Sequence, residues 1–233
     1  NGVTPDYIVK LVENIQNCGN VYGEKDVPAA LKKEIESLPE KADTLLFLGR
    51  DAIYKSPESA IKAIELLKKS GISFTVLKDE PDSGYAMEFL TGKTAESKEI
   101  AEKCAKALDF KTVVCYDPSD AKIFMREYKE WGINLSAKVV TFTAFVAELI
   151  KNGTIKVKAS GKVYTVQDSA ILARDLEETD AVRAIISACG ENREMLCFGK
   201  DTILAGNLIM NEYMSEVIKE TAAARWVNAK NMN

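Results

Sequence analysis

Histidine is absent from this 233-residue chain. That removes the commonest general base and the commonest metal ligand together, so any catalysis rests on carboxylates, lysine, tyrosine or cysteine. The five cysteines, Cys18, Cys104, Cys115, Cys189 and Cys197, contain no C-x-x-C pair, and an odd number does not close into a complete disulfide framework. With no secretory feature present, reduced thiols and a cytoplasmic location are expected. Excess positive charge is missing too: the formal net charge is −4, which leaves no electrostatic footprint for nucleic acid. The longest apolar stretch, residues 139–150, is about half a membrane span and is interrupted by Thr and Glu. No dinucleotide-binding glycine fingerprint, P-loop, zincin helix or EF-hand loop occurs.

What is present is an ordinary globular composition, 46% apolar and 28% charged, enough for a sizeable core. The chain is organised around residues 111–121. The apolar run 112–116 suits a buried strand and is too short for a helix. It stops at Asp117-Pro118, where Asp caps a helix and Pro fits its first turn. Ile123, Phe124, Tyr128 and Trp131 then repeat at helical spacing up to Gly132. Strands are expected at 43–49, 72–78 and 137–141, and helices at 58–70, 95–108 and 143–152, after two short helices at 4–16 and 28–38. This rhythm predicts βαβ units and a parallel sheet. Beyond Gly153 the texture shifts to short strands at 154–159, 162–166 and 193–198, with helices at 180–189 and 203–229.

The chemistry-bearing residues each have a plain structural explanation. Gly49-Arg50 at a strand end offers a weak phosphate cradle or simply a turn. Asp117 and Asp120 share a helix start, where they either hold a cation or cap the helix and complement its dipole. Cys197 before Gly199 reads better as a buried, inert thiol than as a reactive one. Phe124, Tyr128 and Trp131 read as helical core.

Taken together these segments resemble the cysteine-rich (CCG) domains of heterodisulfide reductase B and D subunits and of related iron–sulfur oxidoreductase subunits. Gly19-Asn20-Val21-Tyr22-Gly23 is similar to the family's GNPYG segment. Leu46-Phe47-Leu48-Gly49-Arg50 with Tyr54 and Pro57 is similar to its first strand, and Asp82-Ser83-Gly84 falls on its CCG turn. Asp117-Pro118-Ser119-Asp120 with Tyr128 falls on CPHC…Y. Gln167-Asp168-Ser169-Ala170 to Arg174 falls on HDPCxLGR, Arg183 on a later PR pair, and Leu196-Cys197-Phe198-Gly199 on lCCG.

The resemblance implies an α/β fold of two related Rossmann-like lobes with parallel sheets after a short helical N-terminal segment. The segment is placed at 1–42, a first CCG-like domain at 43–153 and a second, C-terminally truncated one at 154–233. The family carries four-iron, four-sulfur clusters. Its ligand positions here are Arg50, Asp82, Ser83, Asp117, Asp120, Ala170, Cys197 and Phe198, a single thiol among them, so no catalytic residue, metal or cofactor is assigned to this chain. The implied role is a degenerate subunit or domain of an iron–sulfur oxidoreductase complex. It docks other subunits of that redox complex, with no nucleic acid and no membrane span. The alternative is an anion- or small-molecule-binding enzyme that reuses the cleft between the domains, gripping its ligand with Arg50 or Arg174. Two side-chain solutions are expected at the ligand positions: an Arg50–carboxylate network with Asp82, Asp117 and Asp120, and an apolar plug made by Ala170 and Phe198.

Overall fold

Two amphipathic helices open the chain because each carries one apolar stripe on a polar cylinder. In α1 (Asp6–Cys18) Leu11 and Ile15 are buried, and the helix closes at Gly19, whose amide bonds the Ile15 carbonyl at 2.8 Å. In α2 (Ala29–Glu36) Leu31 and Ile35 are buried. The structure is a computed structural model and describes residues 4–232. The chain divides into two compact units, one ending at Thr141 and one starting at Phe142.

The first unit then alternates. It runs β1 (Thr44–Phe47), α3 (Arg50–Tyr54), α4 (Pro57–Ser70), α5 (Tyr85–Thr91), α6 (Ala95–Ala105) and β2 (Thr112–Cys115). After β2 come α7 (Pro118–Lys122), a π-helical turn at Ile123–Glu127, α8 (Tyr128–Glu130) and β3 (Lys138–Thr141). The strands pair in the order β1-β2-β3, all parallel, with Leu46 beside Val114 and Val114 beside Val140. Leu45, Leu46, Phe47, Val113, Val114 and Cys115 are all buried, the near-continuous apolar run of a sheet covered on both faces. The α/β class expected from the sequence is therefore what the chain adopts.

The expected strand at 72–78 shrinks to one parallel bridge, Leu45 with Thr75, closed by Thr75 N to Thr44 O (3.0 Å) and Leu46 N to Thr75 O (2.8 Å). Only Phe74, Thr75 and Val76 of that segment are buried, too few to hold a longer ladder. Under the sheet, Phe47, Phe124 and Tyr128 form an edge-to-face chain with ring centroids 5.0 Å apart at each step.

The second unit comprises α9 (Phe142–Lys151), β4 (Val163–Tyr164), a π-helical turn at Ile171–Asp175, α10 (Asp180–Cys189), β5 (Glu191–Asn192), a 3-10 turn at Gly199–Asp201 and α11 (Leu208–Lys230). Helix α10 packs on α9. The expected strands at 154–159 and 193–198 are not formed: Val163 and Tyr164 pair in parallel with Glu191 and Asn192 instead. Residues 154–159 are exposed apart from a half-buried Ile155, so no apolar face pins a ladder there. Helix α11 is kinked at Met214 and buries only Ile209 and Arg225.

Candidate functional site: an acid-rich sheet edge

At the carboxyl ends of β1 and β2 the first unit turns sharply. Gly49 makes the turn out of β1 at φ 86 and ψ 153, and Arg50 begins α3. A Cβ on Gly49 would lie 2.3 Å from Asp120 Oδ2 and 2.8 Å from Asp117 Cβ, so the absence of a side chain lets two acids close over the strand end. Asp117 caps α7, accepting from the Ser119 amide at 2.7 Å, with Pro118 in the first turn.

Four acids converge on this edge. Glu80 is buried and accepts from two backbone amides, Leu48 N on Oε2 and Gly49 N on Oε1, both at 2.8 Å. Asp82 accepts from the Gly84 amide at 2.8 Å, and its other oxygen, Oδ2, is buried without a partner. Asp120 is buried. Burial is the leading cause that raises the pKa of each. For Asp120 the Asp117 charge adds to it and a hydrogen bond from Ser83 opposes it. For Asp82 the Gly84 amide and the Arg50 charge oppose it. For Asp117 the Ser119 contacts oppose it. Ser83 is buried beside them, and its carbonyl accepts from Tyr128 Oη at 2.9 Å.

The expected Arg50–carboxylate network is not formed as ion pairs. No carboxylate among the described residues stands within 4.0 Å of the Arg50 guanidinium, and Arg50 Nε is buried with no partner. Arg50 acts on Glu80 and Asp82 through its field alone. One cation does not neutralise four clustered acids, so backbone amides and retained protons do that work instead.

Glu80 carries a measurable consequence. Burial pushes its pKa up to about 7 from 4.5, against the opposing pull of the Leu48 amide, the Arg50 charge and the Gly49 amide. The folded state then keeps a proton that the unfolded chain has lost, so stability is greatest below about pH 4.5 and declines as pH rises towards 7. The shift corresponds to about 3 kcal/mol at full ionisation. Urea unfolding across that window should show the decline, and Glu80→Gln should flatten it. A wild-type stability that rises with pH over the same window would contradict the burial argument.

In the second unit an ion network forms around Asp168 and Arg183, two of the positions that carry the family resemblance. Arg183 donates from Nη1 and Nη2 to the two Asp168 oxygens, each at 2.9 Å. It also donates from Nε and Nη2 to Glu194, at 2.8 and 2.9 Å. The Gly199 amide adds 2.7 Å to Asp168 Oδ2. Burial works against the Asp168 charge, but the Arg183 bonds and the Gly199 amide outweigh it, leaving its pKa lowered. The expected plug is corrected here: Phe198 is 50% exposed and Ala170 half-buried. The Phe198 ring lies instead over the Arg183 guanidinium, 5.8 Å from centroid to Cζ. Cys197 is half-buried at φ 55, not sealed in the core, and its carbonyl accepts from Arg225 Nη2 at 2.9 Å. Arg174 is committed to backbone, donating from Nε to the Lys200 carbonyl at 2.8 Å and from Nη2 to that of Thr202.

These donors do not fit an iron–sulfur cluster. At the positions where the resemblance would place ligands, the first unit carries an arginine, three aspartates and a serine, and the second unit one thiol beside Ala170 and Phe198. Cys104 and Cys115 are buried, and burial raises both thiols away from the thiolate form that iron requires. Among the described residues no group of three or more Cys, Asp or Glu is arranged to hold a metal ion.

Fold and site define an α/β protein whose parallel sheet ends in a buried, acid-lined edge. Its curated relatives are similar over about two thirds of the chain. The D subunit of dihydromethanophenazine:CoB–CoM heterodisulfide reductase from Methanosarcina acetivorans is 32% identical over 161 residues, and its counterpart from Methanosarcina mazei is 28% identical over 158. Each match takes in 64% of this chain and 39% of the relative, so the chain spans about two fifths of the relatives' length. The chain is thus distantly related to the D subunits of heterodisulfide reductases. No family model matches it. No solved structure matches it either.

Proposed function

We propose that this chain is a degenerate, cluster-free relative of the heterodisulfide reductase D subunit, serving a redox complex as a docking or structural part. The observation that carries the reading is the donor set. Where the family resemblance calls for thiolates, the first unit presents Arg50, Asp82, Ser83, Asp117 and Asp120, several of them already bonded to backbone amides. A scaffold kept without its metal ligands is best explained by surfaces that other subunits use. The relatives named above are subunits by their descriptions, which supports partners of the same kind. The five free cysteines support a reducing, cytoplasmic setting. Among the described residues no helix is long and apolar enough to cross a membrane.

Anaerobic incubation with iron and sulfide, followed by desalting, iron analysis, visible absorption and electron paramagnetic resonance, tests the reading. The expected result is no retained iron and no cluster signal before or after reduction. A stable, stoichiometric cluster overturns it.

A further inference from the structure

Helix α11 turns little of itself inward: its buried residues are Ile209 and Arg225. Beyond the kink at Met214, Arg225 marks the inward side. At about 100° per residue, Glu216, Glu220, Ala223, Val227 and Lys230 then lie within roughly 40° of the side opposite it. All five are exposed, and Trp226 next to them is 64% exposed. Tryptophan is a residue that proteins mostly cover, and here the indole and the Val227 side chain stand open to water together.

The charges on this face indicate what covers it. Glu216 stands seven residues before Ala223 and Lys230 seven after it, about two helical turns each way. Among the described residues neither takes part in an ion pair; Lys230 only overlies the Trp226 ring, 5.7 Å from its centroid. A copy of the helix laid antiparallel, Ala223 on Ala223, brings Glu216 opposite Lys230 of the copy, and two-fold symmetry repeats the pair at the other end. The same register sets Trp226 against Glu220 of the copy, and the small alanine at the crossing point lets the two backbones approach. A parallel pairing would instead place glutamate on glutamate and lysine on lysine, which like-charge repulsion disfavours. We propose that α11 pairs with α11 of a second copy of this chain, antiparallel and centred on Ala223. Exposed ion pairs add little attraction, so the two pairs set direction and register while Trp226 and Val227 supply the adhesion. This contact between like chains goes beyond the docking reading and does not depend on it.

Sedimentation equilibrium of the full chain over a concentration series tests the proposal. The wild-type chain should show a concentration-dependent dimer, and Trp226→Ala should weaken it about tenfold or more. Glu216→Lys and Lys230→Glu should each sediment as monomers, because each sets like charges against each other at both ends of the contact. An equimolar mixture of those two variants should dimerise again, since each offers the charges that the other lacks; a variant that had merely misfolded would not be rescued by mixing. A wild-type chain that stays monomeric throughout, a dimer indifferent to either reversal, or a mixture that remains monomeric overturns the proposal. Iron retention in the reconstitution experiment is a separate readout, so the two proposals fail independently.

Discussion

Replacing Gly49 by alanine should cost about 4 kcal/mol of stability, a sum of two effects that each reach ~1–3 kcal/mol. The first is conformational. At φ 86 and ψ 153 the residue occupies a region that is essentially reserved for glycine. The second is steric. The new methyl group would meet Asp120 Oδ2 at 2.3 Å and Asp117 Cβ at 2.8 Å, both on short side chains with little room to turn away. Gly132 supplies the control: it also has positive φ (75), but nothing lies within 4 Å of its virtual Cβ. Gly132→Ala should therefore show the conformational cost alone. The measurement is the urea midpoint of both variants at constant m-value. Equal losses at the two positions would mean that the acids do not crowd the strand end.

Arg183→Met should be equally damaging, about 3–5 kcal/mol, because it strands a carboxylate to which no other cation is bonded. The Asp168 side chain is 3% exposed, and Arg183 supplies both of its charged bonds. The Gly199 amide survives the substitution but carries no charge. Asp168→Asn in the Arg183→Met background should recover part of the loss, since it removes the stranded charge, and a double-mutant cycle at neutral pH measures that coupling. The sign of the pH effect follows from the lowered Asp168 pKa: the wild-type contribution is present above the ordinary carboxylate range near 3.8 and is lost as pH falls through the folded value. A single-variant loss under about 1 kcal/mol would show that the pair behaves as an ordinary surface bridge.

Local rules were enough for the elements whose causes are local. Residues 112–116 are apolar because the strand is covered on both faces, and Asp117-Pro118 announces the helix because a cap and an N-terminal proline act within one turn. The chain 123–131 is equally legible as buried aromatic spacing, although nothing in it announces the π-helical turn between residues 123 and 127, where Phe124 meets both Phe47 and Tyr128. Glu80 was invisible for the opposite reason. Its partners are amides 31 and 32 residues away, and backbone amides leave no mark in a sequence. The sequence points to an ion network at Arg50, where acids are numerous, but bidentate geometry forms at Arg183, whose partners lie 15 and 11 positions away. Phe198 looked like core because it is aromatic, and its 50% exposure reflects a turn held by Asp168 and Arg225 more than any preference of its own ring.

The buried guanidinium of Arg225 holds the Gln167 side chain and the Leu196 and Cys197 carbonyls at once. That one side chain therefore ties the 23-residue α11 to the segment that bears Cys197. The path of residues 196–197 is thus written partly in a helix that begins only at Leu208.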